Sequence, residues 1–206
     1  YLMPLEERVK LDKGEFVKSS PKSSFGRLFL SSRLLTDFNP CFDEINSYYK
    51  TDTELNMYLL VQPLAFNLTI YPGISLNQLR FFKEYGNSLS PAEIREESRK
   101  NPVLYLKAED GSLSPTDHII TEGLQIHLDL SGKHTEGIIA LKARHNPDPI
   151  DLKQIGQHDA EDYFEPILRN NEGLIARRNE YYLIATSEVL RIPSHLNAEL
   201  ESHSHI

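Results

Sequence analysis

A short polar segment, Pro21-Lys22-Ser23-Ser24-Phe25-Gly26-Arg27, combines the residue types that bind phosphate groups. Arginine can hold two phosphate oxygens at once, lysine supplies a second positive charge, and serine hydroxyls with backbone N–H groups complete an anion site. Gly26 lets the backbone approach a ligand closely. The spacing by itself fits equally well a polar turn with ordinary surface charges. Neither Gly-x-x-x-x-Gly-Lys-Ser/Thr nor Gly-x-Gly-x-x-Gly occurs in the chain.

The residue types for metal chemistry are sparse. Cys41 is the single cysteine, which excludes a disulfide, a four-cysteine zinc site and a Cys-x-x-Cys redox pair within this chain. That usage fits a reducing cytoplasm. His203 and His205 have ligand-like spacing, but they stand near the chain end, where a solvated tail is the commoner explanation. The histidines at 127, 134, 145 and 158 lack such spacing.

Length and charge bound the class of protein. The chain has 206 residues, of which 39% are hydrophobic and 25% charged, so it can bury a core. Its 22 basic and 30 acidic residues give a net charge of -8, which argues against a nucleic-acid polymer as partner but allows a small anion. No apolar run approaches the ~20 residues that a membrane span needs, and no signal segment opens the sequence. These features predict no membrane partner.

Short strands must position the phosphate-binding segment. We predict strands over 1–11, over 56–70 with a break at Gln62-Pro63, and over 74–82. Many short strands punctuated by proline and glycine favour a β-sandwich or a barrel.

A helix and a second β region follow. Ser90-Pro91-Ala92-Glu93 forms a capping box, which predicts a charged helix to about Lys100. We predict further strands over 103–108, over 124–130, where apolar and polar residues alternate, and over 180–192. One or two helical turns are predicted over 159–164.

An internal similarity suggests a repeat. At an offset of 181, residues 1–11 align with 182–192, and Tyr, Leu and a glutamate (Glu7 and Glu188) are identical. Two strands of similar pattern could also match by chance. If the repeat is real, 1–86 is the C-terminal part of a first domain, 87–115 is a linker with a short helix, and 116–206 is the N-terminal part of a second domain. The complete protein is then expected to be longer at both ends.

Three motifs in order resemble the deoxycytidine triphosphate deaminases of the trimeric dUTPase superfamily. They are Lys22-Ser23-Ser24-x-Gly26-Arg27, Ser32-Arg33-Leu34-Leu35-Thr36-Asp37, and Pro72-Gly73-x-x-Leu76-Asn77-Gln78-Leu79-Arg80. Later segments resemble the two-domain bacterial form in the same order, at 123–132, 157–159, 164–166 and 182–198. The resemblance implies a mainly β fold of two tandem dUTPase-like jelly-roll or distorted β-barrel domains with a short helical linker, in a homo-oligomer.

The resemblance also implies roles for residues. Lys22, Ser24 and Arg27 would contact the triphosphate or ordered water, Ser23 and Arg27 would support catalysis, and Gln78 would contact substrate. The implied reaction is the hydrolytic deamination of dCTP to dUTP, in which water attacks C4 and ammonia leaves. This family works without zinc, and Mg²⁺ is expected on the triphosphate of the bound nucleotide.

One departure weakens this assignment. The family pattern places the catalytic glutamate in the slot that Leu60 fills in Met57-Tyr58-Leu59-Leu60-Val61, so no general base is identified in this chain. Glu44 and Glu54 are interpreted as exposed loop acids. The glutamate could come from the equivalent strand of a second repeat beyond Ile206. Alternatively, the chain is a catalytically decayed nucleotide-binding relative. A dUTP pyrophosphatase is a further alternative.

Overall fold

The computed structural model describes residues 1–48, 53–83, 89–116 and 123–199. Within these ranges the chain is mainly β, as predicted. The strands are β1 (Leu2–Val9), β2 (Phe16–Pro21), β3 (Leu30–Thr36), β4 (Glu44–Asn46), β5 (Leu55–Pro63), β6 (Leu68–Thr69), β7 (Asn77–Phe82), β8 (Leu104–Lys107), β9 (Leu113–Pro115), β10 (Ile138–Ala143), β11 (Ile150–Asp151), β12 (Phe164–Leu168), β13 (Tyr182–Leu183) and β14 (Glu188–Leu190). The helices are α1 (Ser23–Gly26), α2 (Pro91–Lys100) and α3 (Ala160–Tyr163). Among the described helices, none has the length and apolar character needed to cross a membrane.

The chain folds into two compact units. Unit 1 is built from Tyr1–Asn87, Leu141–Glu165 and Ala176–Leu183, and unit 2 contains the other described residues. Unit 1 therefore takes in two later segments as well as the first part of the chain. The predicted boundaries at residues 86 and 115, which assume two copies of one fold, stay a prediction.

Two antiparallel sheets form the main core of unit 1, in the strand orders β1-β5-β3 and β4-β2-β7. The central strand β5 alternates as a half-buried strand should. Its core-facing residues Leu55, Met57, Leu59 and Val61 are at most 4% exposed, while Leu60 between them faces outward. Each such buried side chain contributes about 1.5–3 kcal/mol of hydrophobic stabilisation. The break predicted at Gln62-Pro63 is confirmed, because β5 ends at Pro63.

A second apolar cluster of unit 1 forms around Phe66. The rings of Tyr163 and Phe164 meet the Phe66 ring edge-on, with centroids 5.8 and 5.2 Å away. Ile150 joins the same cluster, and its strand β11 pairs in parallel with β6, placing Ile150 opposite Leu68. These contacts explain why the segment 141–165 belongs to unit 1.

In unit 2, the predicted capping box is present. The Ser90 hydroxyl accepts a hydrogen bond from the Glu93 backbone N–H, and the Glu93 carboxylate accepts one from the Ser90 N–H. These bonds satisfy donors that the first helical turn leaves free, so α2 begins where predicted. Strand β8 of the same unit lies between β14 and β9 and confirms the strand predicted over 103–108.

The strand predicted over 124–130 is wrong. Leu128 forms an isolated bridge with Thr186, and Leu128 and Leu130 remain 59% and 37% exposed. The backbone N–H of His127 donates to the Glu188 carboxylate at 2.8 Å and so is not free for a neighbouring strand. The Glu188 carboxylate therefore binds the N–H group that would otherwise pair with a backbone carbonyl of a neighbouring strand. The long strand predicted over 180–192 is likewise divided into β13 and β14.

Candidate functional site

The segment predicted to bind phosphate forms one turn of helix followed by a tight turn. Lys22 is the N-cap residue of α1, and its carbonyl accepts the Phe25 N–H at 2.9 Å. The chain then turns again, with the Phe29 N–H donating to the Gly26 carbonyl at 3.0 Å. Phe29 adopts φ 50°, a left-handed conformation that costs energy for a residue with a side chain. Residues 22–29 are called the cradle turn below.

Both ends of the cradle turn are anchored within unit 1. At its start, the Lys22 N–H donates to the Leu76 carbonyl at 2.9 Å, just before β7. At its end, the Tyr181 hydroxyl donates to the Gly26 carbonyl at 2.7 Å. The Tyr181 ring also stacks on the Phe29 ring, with centroids 4.4 Å apart and planes 7° from parallel. Residues distant in sequence thus hold the turn in place.

The cradle turn presents polar groups that lack protein partners. Within the described ranges, the side chains of Lys22, Ser23, Ser24 and Arg27 form no hydrogen bond or ion pair. Ser23, Ser24 and Arg27 are exposed and Lys22 is half-buried. Two cations without a carboxylate partner are notable in a chain of net charge -8. A Cβ added to Gly26 would meet nothing within 4 Å, so the turn is open to an approaching anion.

The structure brings Gln78 close to the start of the cradle turn. Strands β2 and β7 pair with Ser20 opposite Gln78 and Pro21 opposite Asn77. The Gln78 side chain is exposed, and its Nε2 donates to the Ser20 hydroxyl at 3.2 Å. Gln78 is thus available beside the strand that leads into Lys22. The five residues predicted for the site therefore lie at one end of the β2–β7 pair.

Asn77 is a polar residue whose importance the sequence did not reveal. Its Nδ2 donates to the Ser19 hydroxyl at 2.9 Å, and its Oδ1 accepts a hydrogen bond from the Ser32 hydroxyl. Ser32 is completely buried and Ser19 is 8% exposed. Asn77 on β7 therefore satisfies buried groups on β2 and β3. Its only sequence signal is an amide in a strand, which is disfavoured unless the amide has partners.

Leu60 occupies the slot in which the family resemblance places a catalytic glutamate. It lies on β5 directly opposite Arg33 of β3 and Leu2 of β1, and it is 39% exposed. The Arg33 guanidinium pairs with Asp43. The Asp43 carboxylate is also bound by the Leu34 N–H at 2.7 Å. This acid is therefore engaged in structure, and Leu60 itself cannot transfer a proton.

The two acids interpreted as loop residues have different surroundings. Glu54 is exposed and lies 3.6 Å from Arg8, in agreement with that interpretation. Glu44 instead begins strand β4, where it is half-buried and stands opposite Lys18 of β2, so the loop assignment is wrong for it.

Two histidines lie against buried or half-buried carboxylates. His127 Nδ1 lies 2.6 Å from Glu188 Oε1. Burial acts to raise the pKa of Glu188, but hydrogen bonds from the His127 backbone and ring outweigh it and hold that pKa below its ordinary value. In unit 1, a hydrogen bond from His145, together with Lys142, lowers the pKa of Glu180 in the same way. His203 and His205 lie outside the described residues.

The fold and the cradle turn together define a class: a mainly β protein with an open turn whose two cations have no partner among the described residues. Residues 1–85 match the family model for the 2'-deoxycytidine 5'-triphosphate deaminase (DCD) N-terminal domain, and residues 99–205 match the model for its C-terminal domain. The chain therefore belongs to the 2'-deoxycytidine 5'-triphosphate deaminase family.

A solved structure gives an independent comparison. The crystal structure of 2'-deoxycytidine 5'-triphosphate deaminase from Agrobacterium tumefaciens is similar to this chain, with a TM-score of 0.80 and 27% sequence identity. The match covers 94% of this chain and 52% of that one, so the chain spans about half the length of this relative. A search of curated proteins finds no match. The likeness supports the predicted fold class.

Proposed function

We propose that this chain binds dCTP through the cradle turn and takes part in its hydrolytic deamination to dUTP. The observation that carries the proposal is the set of side chains without protein partners at Lys22, Ser23, Ser24 and Arg27, in a chain of this family. A triphosphate would give the positively charged side chains of Lys22 and Arg27 a negatively charged partner. The open space at Gly26 lets phosphate oxygens reach the backbone.

Each side chain has a proposed role in binding. Arg27 takes two phosphate oxygens with its planar guanidinium, and Lys22 adds a point charge. Ser24 donates its hydroxyl to the same group, and Gln78 contacts the nucleotide from β7. In the described part of the chain, no three His, Cys, Asp or Glu side chains are grouped to hold a metal. A Mg²⁺ ion would be held chiefly by water and by phosphate oxygens of the bound nucleotide.

The reaction requires a water molecule and a route for its proton. The water oxygen forms a bond to C4 of cytosine, one of its protons moves to N3 and the other to the exocyclic nitrogen, and the C4–N bond breaks to release ammonia as the C4 carbonyl of uracil forms. Ser23 and Arg27 orient the water and stabilise charge as it develops. Because Leu60 cannot accept a proton, we propose that the carboxylate is contributed by another part of the assembled enzyme. We also propose that the enzyme is a homo-oligomer.

The cysteine content and the net charge bear on the cellular location and the partners of the protein. We propose a cytoplasmic enzyme, since Cys41 is a free and exposed thiol. We propose no nucleic-acid polymer as partner, because the net charge of -8 opposes a long phosphate backbone.

Product analysis tests the proposal. The protein is incubated with dCTP and Mg²⁺, and ammonia and dUTP are measured; the expected result is equal amounts of both. A parallel incubation with dUTP measures pyrophosphate, which would instead mark a dUTP pyrophosphatase. Equilibrium binding of dCTP without either product would identify a nucleotide-binding relative whose catalytic site has decayed. Absence of both binding and turnover would contradict the proposal.

A further inference from the structure

Tyr181 contacts the cradle turn through two different parts of its side chain. Its hydroxyl donates to the Gly26 carbonyl at 2.7 Å, and its ring lies parallel to the Phe29 ring. These contacts bracket Arg27, which stands between Gly26 and Phe29 in the sequence. The backbone on both sides of the main phosphate-binding cation is therefore held by one residue.

The cradle turn needs such support. A helix of four residues is far shorter than one that is stable alone. Phe29 is held at φ 50°, which an isolated turn would relax. The stacking of the Tyr181 and Phe29 rings and the hydrogen bond to Gly26 both stabilise this conformation.

Tyr181 is itself held firmly. Its carbonyl accepts the Ala143 N–H at 2.9 Å, and the following residue, Tyr182, pairs with Lys142 of β10. Burial raises the pKa of Tyr181 above its ordinary value, so the hydroxyl keeps its proton at neutral pH and can donate. The anchor is thus attached to residues 142 and 143, which belong to the same unit.

We infer that Tyr181 is a positioning residue that sets the geometry of Arg27 for a polyphosphate ligand. This inference rests on the proposed function and deepens it. Tyr181 acts through the Gly26 carbonyl and the Phe29 ring and not through an atom of the substrate. Removing its hydroxyl should loosen the turn around Arg27 while leaving the stack in place.

The test compares Tyr181→Phe with Tyr182→Phe, which also removes one tyrosine hydroxyl. The Tyr182 hydroxyl accepts a hydrogen bond from the Arg177 N–H at 3.3 Å, which lies outside the cradle turn. Binding of inorganic tripolyphosphate and of dCTP is measured by calorimetry. We expect Tyr181→Phe to weaken both about five- to tenfold and Tyr182→Phe to leave both within twofold. Unchanged affinities in Tyr181→Phe would overturn the inference.

A double-mutant cycle separates positioning from general loosening. In an Arg27→Lys background, which keeps the charge but loses the two-oxygen geometry, we expect Tyr181→Phe to weaken tripolyphosphate binding less than twofold. A full five- to tenfold loss in that background, with a lowered melting temperature, would show a structural role only and overturn the inference. Wild-type protein that binds tripolyphosphate but not dCTP would overturn the proposed function alone. Wild-type protein that binds neither probe would overturn both.

Discussion

Arg27 is the residue on which ligand binding should depend most. Its guanidinium has no partner in the described chain, and a hydrogen bond to a charged group contributes about 1.5–3 kcal/mol. Arg27→Ala should therefore weaken dCTP binding about 10- to 100-fold, as measured by calorimetry. The control is Arg8→Ala, which removes an exposed arginine beside Glu54 and should leave binding unchanged. Equal affinities of Arg27→Ala and wild type would exclude the cradle turn as the site.

Leu60 offers a test of the missing general base. A glutamate should be tolerated there, since the side chain is 39% exposed and stands opposite Arg33. If no other part of the assembled enzyme supplies a carboxylate to the site, Leu60→Glu should raise ammonia release from dCTP about 100-fold or more, the typical contribution of general-base catalysis. Leu2→Glu places the same charge on the neighbouring strand, directly opposite residue 60, and should have no effect. Equal rates in both variants would show that position 60 takes no part in the deamination.

Part of the candidate site could be predicted from residue types, and the rest is visible only from contacts in the structure. Lys22, Ser23, Ser24 and Arg27 are adjacent in sequence, so their shared chemistry is visible without a structure. Gln78 required the family resemblance. Tyr181 could not be found, because it lies 155 residues from Gly26. Tyrosine and phenylalanine are ordinary residues of a β-rich chain, so the sequence does not show that Tyr181 stacks on Phe29.

At the scale of the strands, Asn77 and Gln78 should separate stability from binding. Asn77→Ala leaves the buried Ser19 and Ser32 hydroxyls without their amide partner, which should lower the free energy of unfolding by about 2–4 kcal/mol. Gln78→Ala removes an exposed amide and should change stability by less than ~0.5 kcal/mol while weakening dCTP binding. Urea unfolding and calorimetry measure the two effects. The same loss of stability in both variants would contradict the distinction.

Elements with strong local signals were predictable, and those defined by distant side chains were not. The capping box fixed the start of α2, and the proline at position 63 marked the end of β5. The alternation over 124–130 misled because the Glu188 carboxylate, 61 residues away, bonds the His127 backbone. A pattern of period two records which side chains could share a face, but it cannot show that a partner strand is present.

At the scale of the whole molecule, each unit contains a carboxylate that a histidine helps to keep ionised. In unit 1, the Glu180 carboxylate lies 3.1 Å from His145 and 3.5 Å from Lys142. In unit 2, the side chain of Glu188 is 6% exposed beside His127. Both acids have pKa values below the ordinary value of 4.5. Ionisation of these acids therefore stabilises both units, and acid should remove that stabilisation.

Glu188→Gln should reveal this linkage. A folded-state pKa below the unfolded one gives stability that is present above about pH 4.5 and is lost as the pH falls through the folded-state pKa. At pH 7, Glu188→Gln should cost about 1–3 kcal/mol, because it alters hydrogen bonds to a buried group. That cost should shrink as the pH falls below 4.5, as measured by urea unfolding at several pH values. Glu172→Gln, at an exposed position of the same unit, should track the wild type throughout. A cost that stays constant with pH would mean that Glu188 contributes through its shape and hydrogen bonds and not through its charge.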